Sequence, residues 1–153
     1  MKWTVAGVGN ILLGDEGVGV RVIQTLATRM LPPGVELLEA GVDPLALATP
    51  LKEGHGVIVV DAFSGHGPPG SIYLLPLTNL RPVEPFASLH DISFYHLLQD
   101  YQVQAGWAVG VEPERIDWGL DLSPAVAKAV PRAANLVSRL LWQKLEAGEI
   151  HVP

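Results

Sequence analysis

The sequence predicts an α/β protein, a three-layer sandwich in which a five-stranded mixed sheet lies between helices. Short apolar segments alternate with amphipathic helical segments along the 153 residues, which is the pattern of βαβ units. The segment Gly56–Phe63 (GVIVVDAF) is apolar on both faces, as expected for a strand covered by helices on both sides. No repeat, low-complexity segment or linker divides the chain, so residues 1–153 are expected to form one domain.

The first half of the chain predicts three strands and two helices. Trp3–Val8 is a short apolar run closed by glycine, which indicates a buried strand. Asp15–Met30 has helical periodicity and stops before two prolines and a glycine. The apolar residues near one face of this helix are Val18, Val22, Ile23, Leu26 and Met30. Val35–Glu39 is the expected second strand, Pro44–Leu51 a short helix, and Gly56–Phe63 the third strand.

The second half predicts two more strands and two more helices. Ser71–Leu77 is the expected fourth strand, and its Pro76 indicates a sheet edge. The loop that joins it to the third strand is too short for a crossover helix, so this strand should be antiparallel. His90–Tyr101 should form a helix and Ala105–Val111 the fifth strand. The closing helix should span Ser123–Glu146, because its Ser-Pro start suits an N-cap and a first helical position.

Composition excludes several classes of protein. With 48% hydrophobic and 17% charged residues, the chain is too apolar to be disordered. Its net charge of -6 and the lack of a Lys/Arg stripe argue against nucleic-acid binding. The absence of cysteine excludes disulfides and thiolate sites. No apolar run reaches the about 18 residues of a membrane span, and no signal peptide or coiled-coil stripe is recognisable, so a cytoplasmic monomer is expected.

Two carboxylates fall where an open α/β sheet collects its ligands, beyond the carboxyl ends of the strands at the point where the strand order reverses. Glu16 follows the first strand and Asp61 ends the third. If these strands are neighbours, both residues share one crevice. Each also has a structural interpretation: Asp61 as a cap of a neighbouring helix or loop, and Glu16 as an acidic residue favoured by the helix dipole. Position by itself leaves both interpretations of Asp61 open and favours the structural interpretation of Glu16.

A histidine could complete a metal-binding set. His90 begins a predicted helix after a proline-rich segment. By itself it has the features of a surface or packing residue. Together with Glu16 and Asp61 it would supply two oxygen donors and one nitrogen donor, a set suited to nickel or zinc.

Several familiar motifs are absent. The loop GVGNILLGDEG has Leu12 where a dinucleotide-binding fingerprint needs glycine, and it lacks the ending of a P-loop. The chain has neither HExxH nor GxSxG. One alternative stays open, a nucleotide-binding regulatory module, because Glu39 ends the second strand where a ribose-binding acid is expected.

The segment GVGNILLGDEGVGV at residues 7–20 closely resembles the N-terminal motif of nickel–iron hydrogenase maturation endopeptidases. Other segments resemble this family in the same order and spacing, over nearly the whole chain: VIVVDAF (57–63), GPPGSIYLL (67–75), SLHDISF (88–94) and GVEPERIDWGLDLSPAV (110–126). One departure lies after the second strand, where many members have an Asp-Gly-Gly-Thr-like turn and this chain has residues 39–43 (EAGVD).

The resemblance implies an endopeptidase that removes the C-terminal extension of a hydrogenase large-subunit precursor once nickel has entered that precursor. The family's metal-contacting Glu, Asp and His correspond to Glu16, Asp61 and His90, which are therefore the expected catalytic and metal-contacting residues. Nickel is expected to arrive with the precursor rather than to be tightly bound by the enzyme. A chaperone that holds the precursor without cutting it is a second alternative.

Overall fold

The computed structural model describes residues 1–77, 89–103 and 105–150. The strands are β1 (Trp3–Val8), β2 (Val35–Gly41), β3 (Gly56–Ala62), β4 (Ile72–Pro76) and β5 (Gly106–Val111). The α-helices are α1 (Val18–Leu26), α2 (Ala48–Lys52), α3 (Leu89–Asp100) and α4 (Pro124–Ile150), and two 3₁₀ helices span Gly14–Gly17 and Pro44–Leu47. None of the described helices combines the length and the apolar character needed to cross a membrane.

The five strands form one mixed sheet in the order β2-β1-β3-β5-β4. The first four in this order are parallel, and β4 runs antiparallel to β5 at the edge. The predicted antiparallel fourth strand and its edge position are confirmed. From β1 the chain moves first to β2 on one side and then to β3 on the other. The strand order therefore reverses between β1 and β3, which makes the end of these two strands the expected ligand site.

The sheet separates two hydrophobic clusters, as the prediction of three layers requires. Ile58 and Val60 of β3 belong to the cluster that includes α1 and α4. Val57 and Val59, which alternate with them, belong to the cluster that includes α2 and α3. Because successive side chains of a strand point to opposite faces, a strand that is apolar throughout fills both clusters.

The start of the first helix differs from the prediction of one helix over Asp15–Met30. A 3₁₀ helix occupies Gly14–Gly17, and α1 ends at Leu26. The N–H of Asp15 donates to the carbonyl of Arg115 in a distant loop, so tertiary hydrogen bonds set this first turn. Met30 lies beyond the helix and is 85% exposed, so its assignment to the apolar face was wrong.

Gly19 allows α1 to approach the sheet closely. A Cβ at this position would stand 2.7 Å from the carbonyl oxygen of Val8 and would collide with that of Val60. We expect Gly19→Ala to lower the free energy of unfolding by about 1–3 kcal/mol, although alanine favours helix by ~1 kcal/mol. Urea unfolding measures this, with the exposed Gln24→Ala as control. An unchanged or raised denaturation midpoint for Gly19→Ala would contradict the close approach.

Candidate active site at the carboxyl edge of the sheet

Glu16 and Asp61 lie at the same edge of the sheet. Glu16 is in the Gly14–Gly17 3₁₀ helix, directly after β1 and its loop, and it is only 8% exposed. Asp61 lies near the end of the neighbouring strand β3 and is half-buried. Its Oδ1 accepts a hydrogen bond of 2.8 Å from the N–H of Ala62. The 3₁₀ helix packs against β3.

Gly9 allows the main chain of Glu16 and the carboxylate of Asp61 to approach the same point. It has a φ of +124°, a conformation that is unfavourable for residues with a side chain. A Cβ here would collide with the carbonyl oxygen of Glu16 and would lie 3.4 Å from Oδ1 of Asp61. The carbonyl oxygen of Glu16 and the carboxylate of Asp61 thus both lie close to the space that a side chain at position 9 would occupy, so glycine is required there.

His90 is the second residue of α3, and its side chain lies outside the described residues. The role of the three residues as one set therefore stays a prediction. Among the side chains that the structure does describe, no three His, Asp or Glu residues form a group that could hold a metal ion. Glu16 and Asp61 can supply oxygen ligands. The predicted metal-binding set needs a nitrogen donor in addition, which is the role predicted for His90. Helix α3 packs through Phe94 and Leu98 onto the cluster that contains Val8 and Val59, at the side of β1 and β3.

Asp15, the neighbour of Glu16, is fully buried and anchors the 3₁₀ helix. Its Oδ2 accepts hydrogen bonds from the N–H groups of Glu114 and Arg115, each 2.9 Å, and from the hydroxyl of Ser123 at 2.7 Å. Its Oδ1 accepts a fourth hydrogen bond from the N–H of Ser123, also 2.7 Å. These bonds tie the segment that carries Glu16 to the loop between β5 and α4.

The hydrogen bonds keep Asp15 ionised in spite of its burial. Burial by itself would raise the pKa of this carboxyl group. The main-chain N–H groups of Arg115, Ser123 and Glu114 and the hydroxyl of Ser123 favour the charged form more strongly, so the pKa of Asp15 falls below its ordinary value of 3.8.

Glu112 has a similar role for the loop that follows β3. It directly follows β5 and is buried. One carboxylate oxygen, Oε1, accepts hydrogen bonds from the N–H groups of Gly65 (2.8 Å) and Gly67 (3.0 Å) and from the hydroxyl of Tyr73 (2.8 Å). Burial and this hydrogen bond to Glu112 raise the pKa of Tyr73, so its hydroxyl remains a donor. The loop that follows Asp61 is thereby fastened to the end of β5.

The loop after β2 also borders the site. The N–H of Gly9 donates to the carbonyl of Gly41 at 2.8 Å, and Gly41 has a φ of +58°. Asp43 caps the following 3₁₀ helix, because its Oδ1 accepts from the N–H of Leu45 at 3.0 Å. The segment 39–43, which departs from the family pattern, is therefore in direct contact with the loop that contains Gly9.

Sequence reasoning missed the anchoring carboxylates Asp15 and Glu112. Glu112 follows a buried strand just as Asp61 ends one, so the rule that selected Asp61 could have selected it too. Asp15 directly precedes Glu16 and so has the same position after the first strand. Its anchoring role had no local signal, because its partners are 99 and 108 residues further along the chain.

Comparison with known proteins identifies the family. A family model described as hydrogenase maturation protease matches residues 20–140, which is most of the chain. The chain belongs to the hydrogenase maturation protease family. The hydrogenase 2 maturation protease of Escherichia coli is 30% identical over 149 residues, which cover 90% of this chain and 88% of that protein.

Other relatives agree with this assignment. Hydrogenase expression/formation protein HupD of Rhodobacter capsulatus is 34% identical over 133 residues, which cover 80% of this chain and 63% of that protein. This chain therefore spans less than two thirds of that relative's length. Among solved structures, the hydrogenase maturating endopeptidase HybD from E. coli superimposes with a TM-score of 0.80 at 28% identity, and the match covers 94% of both chains. The predicted α/β fold is confirmed, and membership of this family supports a processing endopeptidase.

Proposed function

We propose that this hydrogenase maturation protease removes the C-terminal extension of a nickel-loaded hydrogenase large-subunit precursor, with the precursor's nickel as the recognition element. One observation carries the proposal. In a chain of this family, the carbonyl oxygen of Glu16 and Oδ1 of Asp61 both lie close to the Cβ position of Gly9, at the point where the strand order reverses. The names of the relatives, which include a hydrogenase 2 maturation protease, support hydrogenase as the substrate.

The proposed residues would bind nickel that is already held by the precursor. Glu16 and Asp61 offer carboxylate oxygens and His90 an imidazole nitrogen, a donor set that suits nickel. Two carboxylates at one edge repel each other, so a divalent cation between them lowers the free energy of the complex. A precursor without nickel lacks this contact and binds more weakly. Differential affinity then ensures that only a metal-loaded precursor is cut.

Hydrolysis of a peptide bond at such a site needs an activated water and a polarised carbonyl group. Two assignments of these roles fit the donor set. In the first, nickel polarises the scissile carbonyl as a Lewis acid. In the second, nickel only positions the extension, and one of the carboxylates activates the water.

The glycines of the first loop do not favour the nucleotide-binding alternative. A Cβ at Gly9 would collide with the carbonyl oxygen of Glu16, and a Cβ at Gly17 would lie 3.0 Å from the Cα of Ile11. Close packing within the chain therefore accounts for both glycines without a bound phosphate.

The test is incubation of the enzyme with its precursor, prepared with and without nickel. We expect mass spectrometry to show loss of the C-terminal extension only from the nickel-loaded precursor, with zinc-loaded precursor as a control for metal identity. A stable complex without a change in mass would instead support the chaperone alternative. Micromolar binding of NAD or ATP in calorimetry would support a nucleotide-binding module.

A further inference from the structure

Two loops at the edge of the candidate site are joined to each other by main-chain hydrogen bonds. The N–H of Gly119 donates to the carbonyl of Leu12, and the N–H of Gly14 donates to the carbonyl of Gly119, each at 2.9 Å. Leu13 and Gly119 thereby pair as in a parallel sheet. Because the carbonyl of Leu12 binds the N–H of Gly119, which directly follows Trp118, the main chains of Leu12 and Trp118 lie close together.

The joined loops expose a concentration of large apolar side chains. Trp118 is 79% exposed and its neighbour Leu12 is 49% exposed. The apolar residues of these two loops that are exposed define what we call the Trp118 surface: Ile11, Leu12, Ile116, Trp118 and Leu120. Several large apolar side chains exposed on two adjoining loops are typical of an interaction site, and tryptophan is enriched among the residues that dominate binding energy.

The exposed residues are held in place by several hydrogen bonds. Asp15 binds the N–H groups of Glu114 and Arg115 at the start of the second loop. Near its end, Nη2 of Arg21 donates to the carbonyl of Leu120 at 3.1 Å. A partner that binds an already ordered surface loses less conformational entropy, which favours affinity.

The charged residues beside the surface indicate the chemistry of the partner. Glu114, Asp117 and Asp121 are exposed on the same loop. The basic residues at this loop are Arg115, which lies 3.9 Å from Asp117, and Arg21, which binds the carbonyl of Leu120. The three acidic residues therefore exceed the basic ones by one. A complementary partner therefore presents apolar side chains with basic residues beside them.

We propose that the Trp118 surface is a docking site for the precursor, separate from the contacts that Glu16 and Asp61 make. This inference rests on the proposed function, which supplies a protein substrate. Leu12 and Glu16 belong to the same short segment between β1 and α1, so a chain bound at Glu16 lies beside this surface. The precursor binds through apolar side chains flanked by basic residues, and this contact orients its extension towards the crevice.

Substitution of the surface residues tests the proposal. We expect Trp118→Ser and Leu12→Ser each to raise the Kd for nickel-loaded precursor by about tenfold, and the KM by the same factor. The kcat at saturating precursor should stay within about twofold of wild type, because the lost contact stabilises the bound precursor and the transition state equally. Trp118→Phe should retain most of the affinity because it remains aromatic. Met30→Ser is the matched control, since Met30 is also highly exposed but lies between α1 and β2. Isothermal titration calorimetry and cleavage kinetics supply the values, and circular dichroism checks the fold.

The outcomes separate the docking surface from the proposed function. If the wild-type enzyme cleaves the precursor and both serine variants have unchanged Kd and KM, the docking surface is overturned and the proposed function is kept. If the wild-type enzyme binds the precursor without cleaving it, and the serine variants bind it more weakly, the result would support the docking surface and overturn the proposed function. A change in oligomeric state in light scattering, at unchanged precursor affinity, would show that a second copy of this chain occupies the surface and would overturn the proposal.

Discussion

Replacing Asp61 with asparagine is expected to abolish processing of the nickel-loaded precursor and to leave the fold intact. Asparagine has nearly the same size, and its amide oxygen can still accept the hydrogen bond from the N–H of Ala62. The negative charge, which a metal contact or the activation of water requires, is lost. We expect the cleavage rate to fall by at least about 100-fold, measured by mass spectrometry of the precursor over time.

Two further variants make this result interpretable. His90→Ala should reduce cleavage to a similar extent, because it removes the proposed nitrogen donor. Asp100→Asn changes an exposed carboxylate at the end of α3 and should cleave like wild type. Thermal unfolding midpoints close to wild type would show that the fold is kept. Undiminished cleavage by both Asp61→Asn and His90→Ala would refute the assignment of the site.

Replacing Asp15 with alanine is expected to cause a large loss of stability. The variant would leave three main-chain N–H groups and the hydroxyl of Ser123 without their acceptor in a buried place. Hydrogen bonds to a buried charge are among the strongest in proteins, so we expect the free energy of unfolding to fall by roughly 3–5 kcal/mol. Urea unfolding at neutral pH measures this. The exposed Glu36→Ala should change it little, and a similar small change for Asp15→Ala would contradict the anchoring role.

The contribution of Asp15 to stability should depend on pH in a defined direction. Its pKa is lowered in the folded protein from the ordinary value of 3.8, so the folded state favours the ionised form. This stabilisation is fully present above the unfolded-state pKa and is lost as the pH falls through the lower folded-state pKa. The difference in unfolding free energy between wild type and Asp15→Ala should therefore be constant near neutral pH and shrink as the pH falls below 3.8. A difference that stays constant across that range would contradict the lowered pKa.

The strands were predictable because their signals are local. β1 occupies Trp3–Val8 as predicted, and β3 ends one residue before the predicted Phe63. Apart from Thr4 in β1 and Asp61 near the end of β3, both are apolar, which is characteristic of parallel strands covered on both faces. The edge position of β4 followed from Pro76, since proline cannot donate in a sheet interior. What local signals did not show is that β5 lies between β3 and β4.

The candidate site was predictable only in part. The rule for open α/β sheets selected Glu16 and Asp61 from their positions after two strands, and the family resemblance selected the same residues. The 3₁₀ turn at Gly14–Gly17 was not foreseen, because it depends on two distant residues: the N–H of Asp15 donates to the carbonyl of Arg115, and its carboxylate accepts from the N–H of Ser123. The exposure of Trp118 could not be predicted either, since the sequence around a single tryptophan does not show whether other parts of the chain cover it.

The amino-acid sequence by itself determined the alternation of strands and helices, the buried character of the central strands and the two carboxylates at their ends. These features follow from hydrophobic periodicity and from the free-energy cost of burying polar groups. Both can be recognised within a few neighbouring residues. Only the tertiary structure decided which loops meet at the edge of the sheet, how Asp15 and Glu112 hold those loops, and that Trp118 and Leu12 lie together on the surface. Such contacts join residues between 39 and 108 positions apart, and their partners are chosen when the whole chain packs.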